Sequence, residues 1–236
     1  MSAFLALVGL IALGAMLVCV LCEEEIKACF DRDPAARNLV EVLLTYSGLH
    51  VQVAYRLAHP LERLGVPVLP RFIMAVARWI TGIEIHPAAK IGRGLFIDHG
   101  SGVVIGETAV LGKNVTLFQG VTLGGTGKQK GKRHPNIGDN VVIGTGAKVL
   151  GAISIGDHSI IGANAVVIRE VPPHSTVVGV PGRIAKIKDE KIEDVNLDHT
   201  HLPDPIAQRL ARLQHEVRAI EQQLKDHGKS QSSNPS

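Results

Sequence analysis

Aromatic side chains are scarce in this chain of 236 residues: one Trp, two Tyr and five Phe. With 3% aromatic but 45% hydrophobic residues, a core has to be built from small and branched aliphatic groups. That suits a repetitive β-solenoid better than a sandwich packed around rings. Cysteine is scarce as well. Cys19, Cys22 and Cys29 all stand near the N-terminus, so no disulfide framework is present and a reducing compartment is the default. Cys19 and Cys22 have C-x-x-C spacing, but no second ligand pair follows, which argues against a zinc or redox site. The formal charge is only +3 and Lys and Arg form no long stripe, so nucleic-acid binding lacks its electrostatic footprint. One local basic cluster, Lys128 to Arg133, is the exception.

The single long hydrophobic run, Ser2 to Cys22, carries no charge. About 20 such residues would span a bilayer as a helix. Yet no basic residue adjoins the run, Glu23, Glu24 and Glu25 follow it, and a secretory signal normally opens on a basic stretch. Three readings stand for residues 1–22: a membrane anchor, a buried helix, or an extension ahead of a true start at Met16.

Residues 23–82 read as a helical domain. Leu39, Val42, Leu43 and Tyr46 recur at helical spacing. Asp33-Pro34 resembles a helix start, with Asp33 as N-cap. A second helix is expected over about 49–64 and a third over about 71–80, ended by Gly82. At Ile91 the period becomes six: Ile91, Ile97, Val103, Ala109, Val115 and Val121, then Ile137, Ile143, Val149, Ile155, Ile161 and Val167. Neither a helix nor an alternating strand repeats every six residues. A hexapeptide solenoid does, with one hexad per flat face and three per coil. Twelve hexads make about four coils over residues 83–185, a left-handed parallel β-helix that departs from the usual right-handed crossover. Ten extra residues, Gly127 to Asn136, should project as a loop. In the extension 186–228, Ile206, Leu210, Leu213, Val217, Ile220 and Leu224 form a heptad seam, read as a short trimeric coiled coil, with a helix packed on its own domain as the alternative. Residues 229–236 read as a disordered tail. The fold class expected is therefore α + β: an N-terminal helical segment, the β-helix and a C-terminal helix.

Several motifs resemble the serine O-acetyltransferase family, within the wider hexapeptide acyltransferases. They are the run from Gly82 through His86 to Gly92, Ile97-Asp98-His99-Gly100, Val104 to Thr108, Val121 to Gly127, and Arg133-His134-Pro135, in the family's order and spacing. Asp31 to Ala35 looks like the family's serine-contacting helical segment. The resemblance implies transfer of the acetyl group of acetyl-CoA to the hydroxyl of L-serine, giving O-acetyl-L-serine for cysteine synthesis.

Such a transfer needs a base, because a free hydroxyl is a poor nucleophile at neutral pH. The resemblance assigns that role to His99, with Glu84 as the carboxylate behind it. Many relatives have aspartate at the latter position. Serine is a zwitterion. Arg133 suits its carboxylate by bidentate pairing, with His134 as a second ligand by resemblance. Asp98 and Asp33 are candidates for the ammonium. Gly124, Gly125, Thr126 and Gly127 could offer backbone N–H groups to an oxyanion. By resemblance Gly125, Thr126, Thr145, Gly146 and Ala163 line a CoA groove between adjacent subunits, and Lys148 and Arg183 are electrostatic candidates for its phosphates. CoA thiolate leaves readily, so direct transfer in a ternary complex is expected, with acetyl-CoA as co-substrate, no tightly bound cofactor and no metal.

The resemblance further implies a homotrimer or dimer of trimers, a cytoplasmic location and feedback inhibition by L-cysteine. Many relatives bind the next enzyme, O-acetylserine sulfhydrylase, through a C-terminal isoleucine. This chain ends Asn-Pro-Ser, so no such complex is expected. The rival readings are a hexapeptide acetyltransferase for a sugar or antibiotic hydroxyl, a γ-carbonic-anhydrase-like zinc hydratase using His86, His99 and His134, and a non-catalytic scaffold.

Overall fold

The computed structural model describes residues 2–127 and 130–187 and, beyond them, 197, 199, 209, 210, 212–221 and 223; within the first helix, side chains are described at residue 9 and from residue 13. Five helices come first. The run 2–22 is helical as α1 (Ser2–Leu21). Cys19 at its end packs against Cys22, Ile26, Cys29, Val42, Leu49 and Phe96, while Leu13, Met16, Leu17 and Val20 are exposed. Among the residues so described, no helix is long and apolar enough to cross a membrane. Burial pushes the Cys22 thiol up to about 11 and the Cys29 thiol to about 12, so both stay protonated near neutral pH.

α2 (Glu23–Arg32) opens on three glutamates, which favour the positive end of the helix dipole. α3 (Leu39–Thr45) starts at Asn38, whose side chain accepts the Glu41 N–H at 3.0 Å. α4 (Ser47–Arg63) and α5 (Leu69–Thr81) match the second and third expected helices, and Gly82 ends α5 in the left-handed region. The expectation for Asp33 fails. It is the C-cap of α2, and its carboxylate accepts the Ala35 N–H at 2.8 Å and the Tyr46 hydroxyl at 2.6 Å. An Asp side chain that closes its own two-residue turn competes with helix initiation, so Pro34 falls in a turn and the next helix waits for Asn38.

From Glu84 the chain winds through three faces of two- to four-residue strands. Sheet 1 stacks β1 (Glu84–Ile85), β4 (Val104–Ile105), β7 (Thr122–Gly124), β10 (Lys148–Leu150) and β13 (Val166–Val167). Sheet 2 stacks β2 (Lys90–Ile91), β5 (Val110–Leu111), β8 (Asn136–Ile137) and β11 (Ser154–Ile155). Sheet 3 stacks β3 (Phe96–Ile97), β6 (Thr116–Leu117), β9 (Val142–Ile143), β12 (Ile160–Ile161) and β14 (Ser175–Val178). All these neighbours pair in parallel. β15 (Arg183–Ile187) then turns back antiparallel on β14 and pairs its outer edge. The second residue of nearly every strand points inward, giving a continuous aliphatic stack from Ile85 to Val177. Each fully buried aliphatic side chain is worth roughly 1.5–3 kcal/mol of transfer free energy.

The expected ten-residue interruption is divided in two. From Ile85 to Val167 the inward strand residues are six apart except twice: Ile97 is followed by Ile105, and Leu123 by Ile137. Two extra residues therefore sit at the Asp98–Val103 corner and eight in the loop before β8. The six-residue series ran through the first of these unbroken because Val103, Ala109, Val115 and Val121 form a second inward row. Both enlarged corners carry residues singled out for chemistry.

The helices clamp the first coil. Arg32 donates to the Gly94 carbonyl at 3.2 Å and to the Thr116 hydroxyl at 3.1 Å. Tyr55 donates to the Ala89 carbonyl at 2.6 Å. Buried Glu25 accepts from Arg56 at 2.5 Å and from the Gly94 N–H at 3.2 Å. Two compact units result, Met1–Leu202 and Pro203–Ser236. In the second, residues 212–221 are helical, and Leu210, Leu213, Val217 and Ile220 of the heptad seam are exposed. Ile206 and Leu224 of that seam, residues 128 and 129 of the basic loop, and the tail 229–236 lie outside the described residues.

Candidate active site

Two corners of the triangle hold the predicted residues. The corner from sheet 3 to sheet 1 carries Asp98 and His99. The two extra residues make the turn wide, and Asp98 O accepts the Gly100 N–H at 2.6 Å while His99 takes a left-handed φ of 56°. Such a backbone is strained for a residue with a Cβ. It is held by Ser47 of α4, whose hydroxyl donates to the His99 carbonyl at 3.1 Å. The imidazole is 72% exposed, and its Nε2 lies 3.8 Å from an Asp98 carboxylate oxygen. Burial raises the Asp98 carboxyl above its ordinary value and the charge of Asp33 adds to this, while His99 and His199 oppose it. Asp33, Asp98 and His99 thus share one electrostatic neighbourhood. Glu84 lies one coil away on β1, but Arg78 of α5 holds its carboxylate at 2.9 Å. The carboxylate beside His99 is Asp98.

The corner from sheet 1 to sheet 2 carries the long loop. Arg133 forms a short ion pair with Glu107, which holds the Glu107 carboxyl below its ordinary value. His134 is buried against Gly106, its Nδ1 facing Thr108. Burial lowers the His134 pKa and the neighbouring Arg133 charge lowers it further, so the ring is neutral. His86 stands in the same group, also lowered by burial and then by Arg71. Gly125 closes the corner: a methyl placed on it would meet His134 Nε2 at 3.1 Å.

Within one chain the two corners do not meet. A sheet 1 strand separates them, and Gly102 to Gly106 alone spans roughly 13 Å of extended backbone. The residues read as lining a CoA groove divide in the same way. Gly124, Gly125 and Thr126 belong to the loop corner, whereas Thr145, Gly146 and Ala163 belong to the corner above His99. Lys148 donates to the carbonyls of Gly120 and Gly146, so its ammonium closes that corner instead of standing free for a phosphate. Arg183 lies on β15 and forms no ion pair among the described residues.

Sequence reasoning missed two residues. Thr108 is the hydrogen-bonding centre of the loop corner, and only its place beside Glu107 hinted at it. His199, far beyond the coils, gave no signal. Its carbonyl accepts the Ala163 N–H at 3.1 Å, its Nε2 is 3.4 Å from the Thr145 hydroxyl, and its ring lies against Phe118, tilted by 36° with centroids 4.0 Å apart. Among the described residues no three His, Cys, Asp or Glu side chains converge to hold a metal ion.

The chain resembles known proteins along most of its length. Residues 134–169 match the family described as bacterial transferase hexapeptide (six repeats). A serine acetyltransferase of Bacillus licheniformis is 56% identical over 203 residues, covering 86% of this chain and 94% of that protein. One from Bacillus subtilis is 55% identical, covering 86% and 94%. Among solved structures, the serine acetyltransferase of Neisseria gonorrhoeae in complex with serine superposes with a TM-score of 0.69 at 44% identity, covering 74% of this chain and 72% of that one. A serine acetyltransferase in complex with cysteine gives a TM-score of 0.71 at 41% identity, covering 73% and 67%.

Proposed function

The chain belongs to the serine acetyltransferase family, and from that we propose how its two corners divide the work of acetylating L-serine with acetyl-CoA. One copy supplies His99, Asp98 and Asp33; a neighbouring copy supplies Arg133, His134 and the Gly124-Gly125-Thr126 corner. The observation that carries this is the partition itself: the base stands with Asp98 and Asp33 at one corner, whereas Arg133 and Lys132 stand at the other, where Glu107 is the one carboxylate described. Opposite charges arranged this way match the two ends of a zwitterion. The exposed seam of Leu210, Leu213, Val217 and Ile220 supports a trimer.

In this reading Arg133 and the N–H of His134 bind the serine carboxylate, and Asp98 with Asp33 binds the ammonium. His99 takes the proton from the serine hydroxyl as its oxygen attacks the thioester carbonyl. Negative charge on the former carbonyl oxygen is met by backbone N–H groups of the glycine corner. The carbon–sulfur bond then breaks, and the CoA thiolate takes the proton from His99. No acetyl-enzyme forms and no tightly bound cofactor is needed. Any pantetheine arm laid over Thr145 and Ala163 runs against His199. Glu84 backs His99 only if it leaves Arg78; Asp98 is already in place. Cysteine, nearly isosteric with serine, competes for the same groups.

The test is subunit complementation. His99→Ala and Arg133→Ala should each be inactive in a thiol-release assay with acetyl-CoA and serine. Random mixed trimers of the two should regain up to roughly a quarter of wild-type activity, since one interface in four then pairs an intact base with an intact arginine. Mixtures as inactive as the parents would overturn the two-copy site. Wild-type turnover of sugars but not serine would overturn the substrate.

A further inference from the structure

We propose that Thr108 is a positioning residue: it fixes which nitrogen of His134 carries the proton and so makes that ring a one-way donor to the substrate. The inference rests on the assignment of His134 to the serine carboxylate. Thr108 Oγ1 accepts the backbone N–H of Arg133 at 3.0 Å and that of His134 at 3.1 Å. Those two bonds use both lone pairs of the hydroxyl, and its hydrogen is left to donate to His134 Nδ1, 2.9 Å away. The backbone N–H of Thr108 also approaches Nδ1, at 3.2 Å. A backbone N–H can only donate, so Nδ1 has to be bare. In a neutral imidazole the proton then sits on Nε2.

Nε2 faces Gly125, which has no side chain to block it. The result is an N–H donor at the glycine corner, on the side where the Arg133 side chain also passes Gly125. A carboxylate oxygen fits that donor, whereas a proton to be abstracted does not. Protonating Nδ1 as well would set one N–H against another, so the ring is a poor base here. This separates His134 from His99, which is exposed and has no such clamp. Neighbouring bonds stiffen the arrangement. Lys132 Nζ donates to the Thr108 carbonyl at 2.7 Å and to Asn136 Oδ1 at 2.6 Å, while Glu107 holds Arg133.

Two substitutions separate positioning from mere packing. Thr108→Val keeps the branched shape and removes the hydroxyl; Thr108→Ser keeps the hydroxyl and loses a methyl. Thr108→Val should raise the KM for serine about tenfold or more, with the KM for acetyl-CoA moving less than about twofold. Thr108→Ser should restore the serine KM to within about threefold of wild type. A second readout needs no turnover: solid-state nitrogen NMR of protein labelled with nitrogen-15 histidine, the His134 signals identified by their loss in His134→Gln. Wild type and Thr108→Ser should show Nε2 protonated and Nδ1 bare, and Thr108→Val a mixture. An unchanged serine KM in Thr108→Val, or a wild-type ring protonated on Nδ1, overturns the proposal. Should the valine variant fail to fold, the wild-type spectrum still decides the tautomer. If wild type does not acetylate serine, the functional assignment falls, while the spectra still report whether Thr108 controls His134.

Discussion

The imidazole of His134 lies so close to Gly106 that a methyl group on this glycine would overlap its Cδ2 and Nε2 atoms. Gly106 belongs to the coil next to the loop, so the seat of the ring is provided by the preceding turn of the solenoid.

Gly106→Ala is therefore expected to push His134 out of place. Overpacking of this kind costs roughly 1–3 kcal/mol. The solenoid stack is long enough to keep its fold, so the damage should fall on the site. The serine KM should rise more than about tenfold while thermal melting falls by only a few degrees. An unchanged KM would mean that the ring can shift without consequence.

The pH dependence of stability follows from three lowered groups. His134 and His86 are held below the ordinary histidine value of 6.5 in the folded chain. Above that value both folded and unfolded forms are neutral, and the two groups add no pH dependence. As pH falls below 6.5 the unfolded chain takes up protons that the folded chain refuses, so stability declines. Glu107, lowered from 4.5, contributes stability that is present above 4.5 and lost as pH drops through its folded value. Melting temperature measured from about pH 8 to about pH 4 should fall on the acid side, and less steeply in His134→Gln. The same acid slope in that variant would contradict the assignment.

Gly48→Ala sets two effects against each other. In a helix, alanine is favoured over glycine by about 1 kcal/mol. At this point of α4, however, the new Cβ would collide with the carbonyl oxygen of Ile97, whose peptide unit is held in place by the Asp98 N–H donating to the Leu117 carbonyl at 2.9 Å. The collision should win, with a net loss of about 1–3 kcal/mol in chemical denaturation. Because Ile97 leads directly into Asp98 and His99, kcat should drop as well. A stabilised variant would show that α4 is not pressed on the coil.

Arg56 and Glu25 form a buried pair joining α4 to α2, with Glu25 1% exposed and Arg56 24% exposed at the side chain. Removing only the arginine leaves a carboxylate without its charge partner, a loss of roughly 3 kcal/mol when the partly exposed arginine is taken into account. Glu25→Gln with Arg56 retained should cost less, because the amide can still accept from the Gly94 N–H. Equal melting temperatures for Arg56→Ala and wild type would sink this account.

Much of this was readable beforehand. The six-residue period of Ile137 through Val167 named the solenoid, since no other regular structure buries every sixth residue. Gly82 as a helix end followed from backbone limits alone. Asp33 was misread because one Asp-Pro signature serves both a helix start and a turn, and only the nearby Tyr46 hydroxyl decides between them. The insertion was counted correctly in total but put in one place, because Val103 continues the spacing while belonging to a different inward row.

Sequence by itself settled the period, the aliphatic filling and the identity of the polar motifs, because these depend on contacts repeated from coil to coil. Only the tertiary structure decided which corner each motif occupies, since a slip of two residues at Asp98–Val103 is invisible until strands are paired. It also decided what each side chain touches: Arg78 on Glu84, Thr108 on His134, His199 on Ala163. Those contacts join residues from different elements, and no local spacing rule reaches across that distance.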